Sequence, residues 1–65
     1  MDMQFTNHGS IWIMTPLSEG GRDWIAQHIA EDATRWGQNG VVIEHRYVAN
    51  IVEGVRGDGL EISAF

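Results

Sequence analysis

Three histidines, nine acids and no cysteine set the chemistry open to this 65-residue chain. His28 and Asp32 stand four apart, one turn of a helix, a spacing at which an imidazole and a carboxylate can share a divalent cation. Two ligands fall short of a site, and the apolar neighbours Trp24 and Ile25 favour a half-buried structural histidine instead. Ser10, Ser18 and Ser63 lie in no nucleophile motif, and Ser18 is better placed as a helix cap. No phosphate-cradling glycine pattern occurs, since "GQNG" and "GDG" are turn chemistry. The missing cysteine removes thiol catalysis, thiolate zinc sites and disulfides together. The expectation is a non-enzyme with no catalytic residue, no metal and no cofactor.

"VVIEHRY", residues 41–47, is harder to place, because it sets Glu44, His45, Arg46 and Tyr47 directly after three β-branched residues. Two readings compete: a reactive cluster, or the seam where a strand gives way to a helix. The spacing of apolar residues changes here from strand-like to Val48, Ile51, Val52 and Val55, the i, i+3, i+4, i+7 pattern of a helix face. That change favours the seam. Glu44 or His45 is then expected to cap the incoming helix, Arg46 to face Asn50 and Glu53, and Tyr47 to lie over the core edge.

Four arginines and no lysine against nine Asp and Glu give a formal charge of -5 and an isoelectric point near 4.8. A surface of this sign repels nucleic acid and anionic lipid, so direct nucleic-acid or membrane binding is disfavoured and a basic protein partner is favoured. The candidate partner-binding residues are Glu19, Asp23, Glu31 and Asp32 around the first helix, and Glu44, Glu53 and Asp58 around the second. Two readings stand side by side: a solvated face that keeps a small domain soluble, or a negative face presented to a basic groove. An exposed Trp12 or Trp36 would add an aromatic anchor to the second, although core packing is expected of at least two of the three tryptophans. "RGD" at 56–58 is read as a helix stop.

These residues must be positioned by a small α+β domain spanning 1–65. Gln4–Asn7 and Ser10–Thr15 read as strands joined by a turn at His8–Gly9. A helix follows from about Ser18 to Asp32, with Trp24, Ile25, His28, Ile29 and Ala33 on its inner arc and Asp23, Gln27 and Glu31 outside. Thr34–Gly40 reads as a loop over which Trp36 folds back as a lid. Val41–Glu44 is a strand, Arg46–Arg56 a helix, and Leu60–Ser63 a closing strand. The expected order is ββαβαβ, a mostly antiparallel sheet with two helices packed on one face. Ile11 and Ile13 alternate with Trp12 and Met14, so the second strand is apolar on both sides, and Trp12 with Met14 could form the interface of a homo-oligomeric module. No stretch approaches the roughly 20 apolar residues of a membrane span, and no export signal is visible, so a cytoplasmic setting is expected.

The strings "NHGSIWIMTPLSEGGRDWI" and "VVIEHRYVANIVEGVRGDGLEI" resemble small acidic proteins carried by phages and mobile elements of GC-rich proteobacteria, and the group is similar to anti-CRISPR inhibitors of type I systems, type I-C among them. The resemblance implies a non-enzymatic protein that binds a Cas surveillance-complex subunit and blocks recognition of target DNA. The expected setting is the host bacterial cytoplasm, and the expected state a monomer or weak homodimer. It carries over no residue roles. The alternative function, a homo-oligomeric structural or regulatory interaction module, stands beside it.

Overall fold

A computed structural model describes residues 1–37 and 39–64. Five strands and two helices follow in the order β1 (Met3–Asn7), β2 (Ile11–Pro16), α1 (Glu19–His28), β3 (Arg35–Trp36), β4 (Gly40–Glu44), α2 (Val48–Gly57) and β5 (Ile62–Ala64). A single 3-10 turn at His45–Tyr47 leads into α2. The strands form one sheet in the order β3-β4-β2-β1-β5, antiparallel throughout except where β5 runs parallel to β1. The α+β class is as expected, but the order gains a strand. Arg35 and Trp36, expected in a loop, pair with Val41 and Gly40 as an edge hairpin. Gln38, within that expected loop, lies outside the described residues.

The turn between β1 and β2 is where the sequence placed it. The Gly9 N–H donates to the Asn7 side-chain oxygen at 2.8 Å, and the His8 N–H donates to the Ile11 carbonyl at 2.9 Å. An Asn side chain that mimics the backbone in this way fixes a turn locally. The resulting register sets Phe5 opposite Met14 and Asn7 opposite Trp12, while Trp12 and Met14 face Ile43 and Val41 on the other side.

Because side chains alternate across a strand, Met3, Phe5, Trp12, Met14, Val41 and Ile43 share one face. Trp24 and Ile25 of α1 and Val55 of α2 close over that face, and these buried residues make the core. Val48, Ile51 and Val52 pack against it as their spacing predicts. Both helices therefore lie on one side, as expected. The reading of Trp12 and Met14 as a subunit interface is corrected: Met14 is fully buried beneath the helices, and Trp12 packs against the core. The outward residues of β2 are Ile11, Ile13 and Thr15.

α1 is shorter than the amphipathic pattern suggested. It ends at His28, Ile29 turns to an extended conformation (φ -109°, ψ 132°), and the Ala33 N–H donates to the Ala30 carbonyl in the turn that follows. Continuing the helix would have set Glu31 and Asp32 against the negative end of the helix dipole, whereas stopping at His28 leaves a histidine there. Ile29 and Ala33 still reach the core. At the other end Ser18 caps the helix, its hydroxyl oxygen accepting from the Gly21 N–H at 3.0 Å. Gly21 is required by close approach, since a Cβ there would collide with the Asp2 carbonyl.

The end of α2 forms a paired closure. The Leu60 N–H donates to Val55 and the Gly59 N–H to Arg56, at 3.2 and 2.9 Å, with Gly59 at φ 84°. This 6→1 and 5→2 pattern satisfies the last carbonyls and needs a left-handed residue that glycine supplies without strain. Its consequence is to hold Asp58 at the C-cap, aimed back toward α1.

Candidate functional site

The groove between α1 and the end of α2 has a volume of about 400 Å³ and is lined by Gly20, Asp23, Trp24, Gln27, His28, Asp58 and Leu60. Trp24 is its anchor. The indole sits in the core, and its N–H donates to the Asp58 Oδ2 at 2.7 Å. The same oxygen lies 3.4 Å from the His28 Nε2, and the Trp24 and His28 rings meet at a centroid distance of 4.5 Å. Trp24 and His28 are one helical turn apart, so α1 alone brings the two rings together. Gly54 of α2 lies against the Trp24 ring, close enough that a Cβ would touch it at 3.4 Å. The Asp58 carboxylate is thus held by the neutral indole donor beside the His28 imidazole, and Asp23 adds a second carboxylate with no ion-pair partner among the described residues.

A further acid braces the approach to this groove. Asp2 accepts from the Ser18 hydroxyl at 2.7 Å through Oδ1 and from the Glu61 N–H at 2.9 Å through Oδ2. It thereby joins the start of α1 to the residue before β5. The Glu61 N–H, and after it the Ser18 hydroxyl, hold the Asp2 carboxyl below the ordinary aspartate range, because both donate to the charged form.

The seven acids expected to bind a partner separate into distinct regions. Asp23 and Asp58 face the groove, and Glu19 stands in the first turn of α1 beside Gly20 at its margin. Glu53 is exposed on α2, next to the Gly54 that meets Trp24. Glu31 and Asp32 lie in the turn beyond α1, so the expected stripe from Asp23 to Glu31 is broken. Glu44 lies at the end of β4 on the uncovered face and pairs with Arg46 at 3.1 Å. The same early stop removes the helical spacing that set Asp32 beside His28, whose neighbour is Asp58 instead. Among the described residues no three His, Cys, Asp or Glu side chains converge as a cation site.

The "EHRY" segment is a boundary, but not by the contacts expected. Neither Glu44 nor His45 caps a helix: the turn and α2 both begin without a side-chain cap. His45 Nδ1 accepts from the Trp12 indole N–H at 3.0 Å, a geometry that places the imidazole proton on Nε2. Arg46 turns back to Glu44 rather than forward to Glu53, and its guanidinium lies 4.9 Å from the Tyr47 ring centre. Trp36 is not a lid on the core, being 61% exposed on the sheet edge.

Asp2, Gln27 and His28 were not foreseen as parts of one acidic site with Asp58. The recurrence of Trp24 and His28 at i, i+4 was a usable signal, whereas the Asp2 contacts join residues 16 and 59 positions apart and leave no local trace. No known protein family, curated relative or solved structure matches the chain.

Proposed function

We propose that this protein is a non-catalytic inhibitor that docks its acidic α1–α2 groove onto a basic, nucleic-acid-handling protein. The resemblance to anti-CRISPR proteins names the partner class as a Cas surveillance-complex subunit in the bacterial cytoplasm, with target-DNA recognition as the step blocked. The observation that carries this reading is the pair Asp23 and Asp58 lining one groove, the second fixed by the Trp24 indole. Two carboxylates that line one groove, with no arginine paired to either among the described residues and only the His28 imidazole beside Asp58, attract an arginine or lysine of another protein, and a prearranged acceptor loses little side-chain freedom on binding. A net charge of -5 adds long-range attraction to a DNA-binding channel and repels DNA itself. Among the described residues no helix is long and apolar enough to cross a membrane.

Binding of a purified type I surveillance complex tests the site. Asp23→Lys should slow association about ten-fold at low salt, the signature of lost steering, while the melting temperature moves by no more than a few degrees. Glu31→Lys, the same charge change outside the groove, should have a much smaller effect. Equal losses from both would remove the groove as the site, and wild-type protein that fails to bind would remove this partner class.

A second reading, a homo-oligomeric module, is favoured by the sheet face away from the helices, where register places the half-buried Ile11 and Val42 and the exposed Trp36. Light scattering at high concentration separates the two readings, because a strict monomer excludes this one.

A further inference from the structure

The opposite flank of α1 carries the opposite charge. Arg22 and Ala26, one turn apart, lie on the flank toward the β3–β4 hairpin, whereas Asp23 and Gln27 line the α1–α2 groove. Together with Pro16, Ile25, Arg35 and Asn39 they line a cavity of about 360 Å³. Arg35 is placed there by its pairing with Val41, which puts it on the same side of the sheet as the helices. Two of the four arginines in the chain therefore converge on one cavity.

An exposed arginine needs no partner in water, so the grouping rather than the exposure carries the argument. Arg46 is already paired with Glu44, whereas Arg22 and Arg35 form no ion pair among the described residues, and no acid lines their cavity. The other lining groups are apolar, Pro16, Ile25 and Ala26, or a neutral amide, Asn39. Guanidinium groups are planar forks suited to two-point contact with an oxyanion, and a bound oxyanion relieves the repulsion between them. This open depression has a volume at the lower end of the range of small-molecule sites, and it sets two exposed arginines beside an apolar wall. We infer that this cavity binds a small organic acid, its carboxylate or phosphate held between Arg22 and Arg35 and its apolar body against Pro16, Ile25 and Ala26.

Benzoate and phenyl phosphate serve as probes, titrated into the full chain at constant ionic strength while amide shifts are followed by NMR, with sodium chloride as the control. At least one probe should saturate with a dissociation constant on the order of 1 mM, as expected for a ligand of this size, and should move the amides of Arg22, Ala26, Arg35 and Asn39. The tighter of the two identifies the head group. Arg22→Gln with Arg35→Gln should weaken binding at least ten-fold. Ala26→Glu keeps both arginines but sets a carboxylate one turn from Arg22, and should abolish binding by occupying the site internally. Asp23→Asn, which alters the α1–α2 groove with the smaller charge change, should affect it far less than the double arginine variant, so the two sites fail or survive separately. Shifts that do not saturate, that chloride reproduces, or that persist in both cavity variants would overturn the inference.

Discussion

The two faces of the sheet are built from similar residues and end in different states. On one face Met3, Phe5, Met14, Val41 and Ile43 are sealed by Trp24, Ile25 and Val55. On the other, Ile11, Ile13 and Val42 sit among Gln4, Thr6 and Thr15 with no helix above them, and none of the three joins the core cluster. Ile13 nevertheless retains only 6% of its exposure. Low exposure and membership of the core cluster are therefore separate properties. The covered face carries the long, flexible or aromatic side chains that fill space between layers, whereas the open face mixes β-branched and hydroxyl residues that pack side by side on a pleated surface.

Truncation on each face breaks or sharpens that contrast most directly. Met14→Ala should cost about 2–5 kcal/mol, because it removes buried carbons and leaves a cavity that the helices and sheet cannot both collapse into. That is a large share of the roughly 3–10 kcal/mol available to a domain of this length. Ile13→Ala should cost only about 1–2 kcal/mol, since water can enter the space from the open side and the cavity penalty disappears. Urea denaturation of both variants measures the difference. Equal losses would mean that the second face is covered, for instance by another copy of the chain.

That contrast explains what was legible in the sequence. The alternation along β2 declared two apolar sides but could not rank them, because Trp12 and Met14 outweigh Ile11 and Ile13 only once the helices are placed. The α2 face was legible because Val48, Ile51, Val52 and Val55 meet one surface through local geometry. The end of α1 was not, since Glu31 continues the outer period of four and the helix dipole that opposes it adds only a fraction of a kcal/mol. β3 escaped notice because a two-residue strand has no period and depends on pairing with β4. In the candidate groove, Asp23 followed from charge and helical spacing, whereas Asp58 acquired its role from the closure at Gly59 and Leu60 and from an indole 34 positions away.

A smaller effect separates the charged side chains that hold the fold from those that only decorate it. Asp2 is held below its ordinary value by the Glu61 N–H and the Ser18 hydroxyl, so the folded state binds its proton less readily than the unfolded chain. Its contribution is therefore complete above the unfolded-state value and is lost as pH falls through the lower folded value. Wild-type protein should exceed Asp2→Asn in stability at neutral pH, and the gap should close on acidification through that window. Parallel curves for wild type and Asp2→Asn would remove Asp2 as a clasp between α1 and β5.

The smallest stability effect is expected from the largest exposed aromatic. Trp36 pairs with Gly40 at the sheet edge on the uncovered side and remains 61% exposed, so its indole closes no core and loses little on truncation. Trp36→Ala should change the unfolding free energy by less than about 1 kcal/mol, within the spread of surface substitutions. Trp24→Ala would instead remove a buried ring together with the donor to Asp58. A residue that is costly to expose and unnecessary for folding is best tested by what it binds. If the open face meets another copy, Trp36→Ala should reduce the light-scattering mass at high concentration without lowering the melting temperature. If it meets nothing, the variant should match the wild type in both.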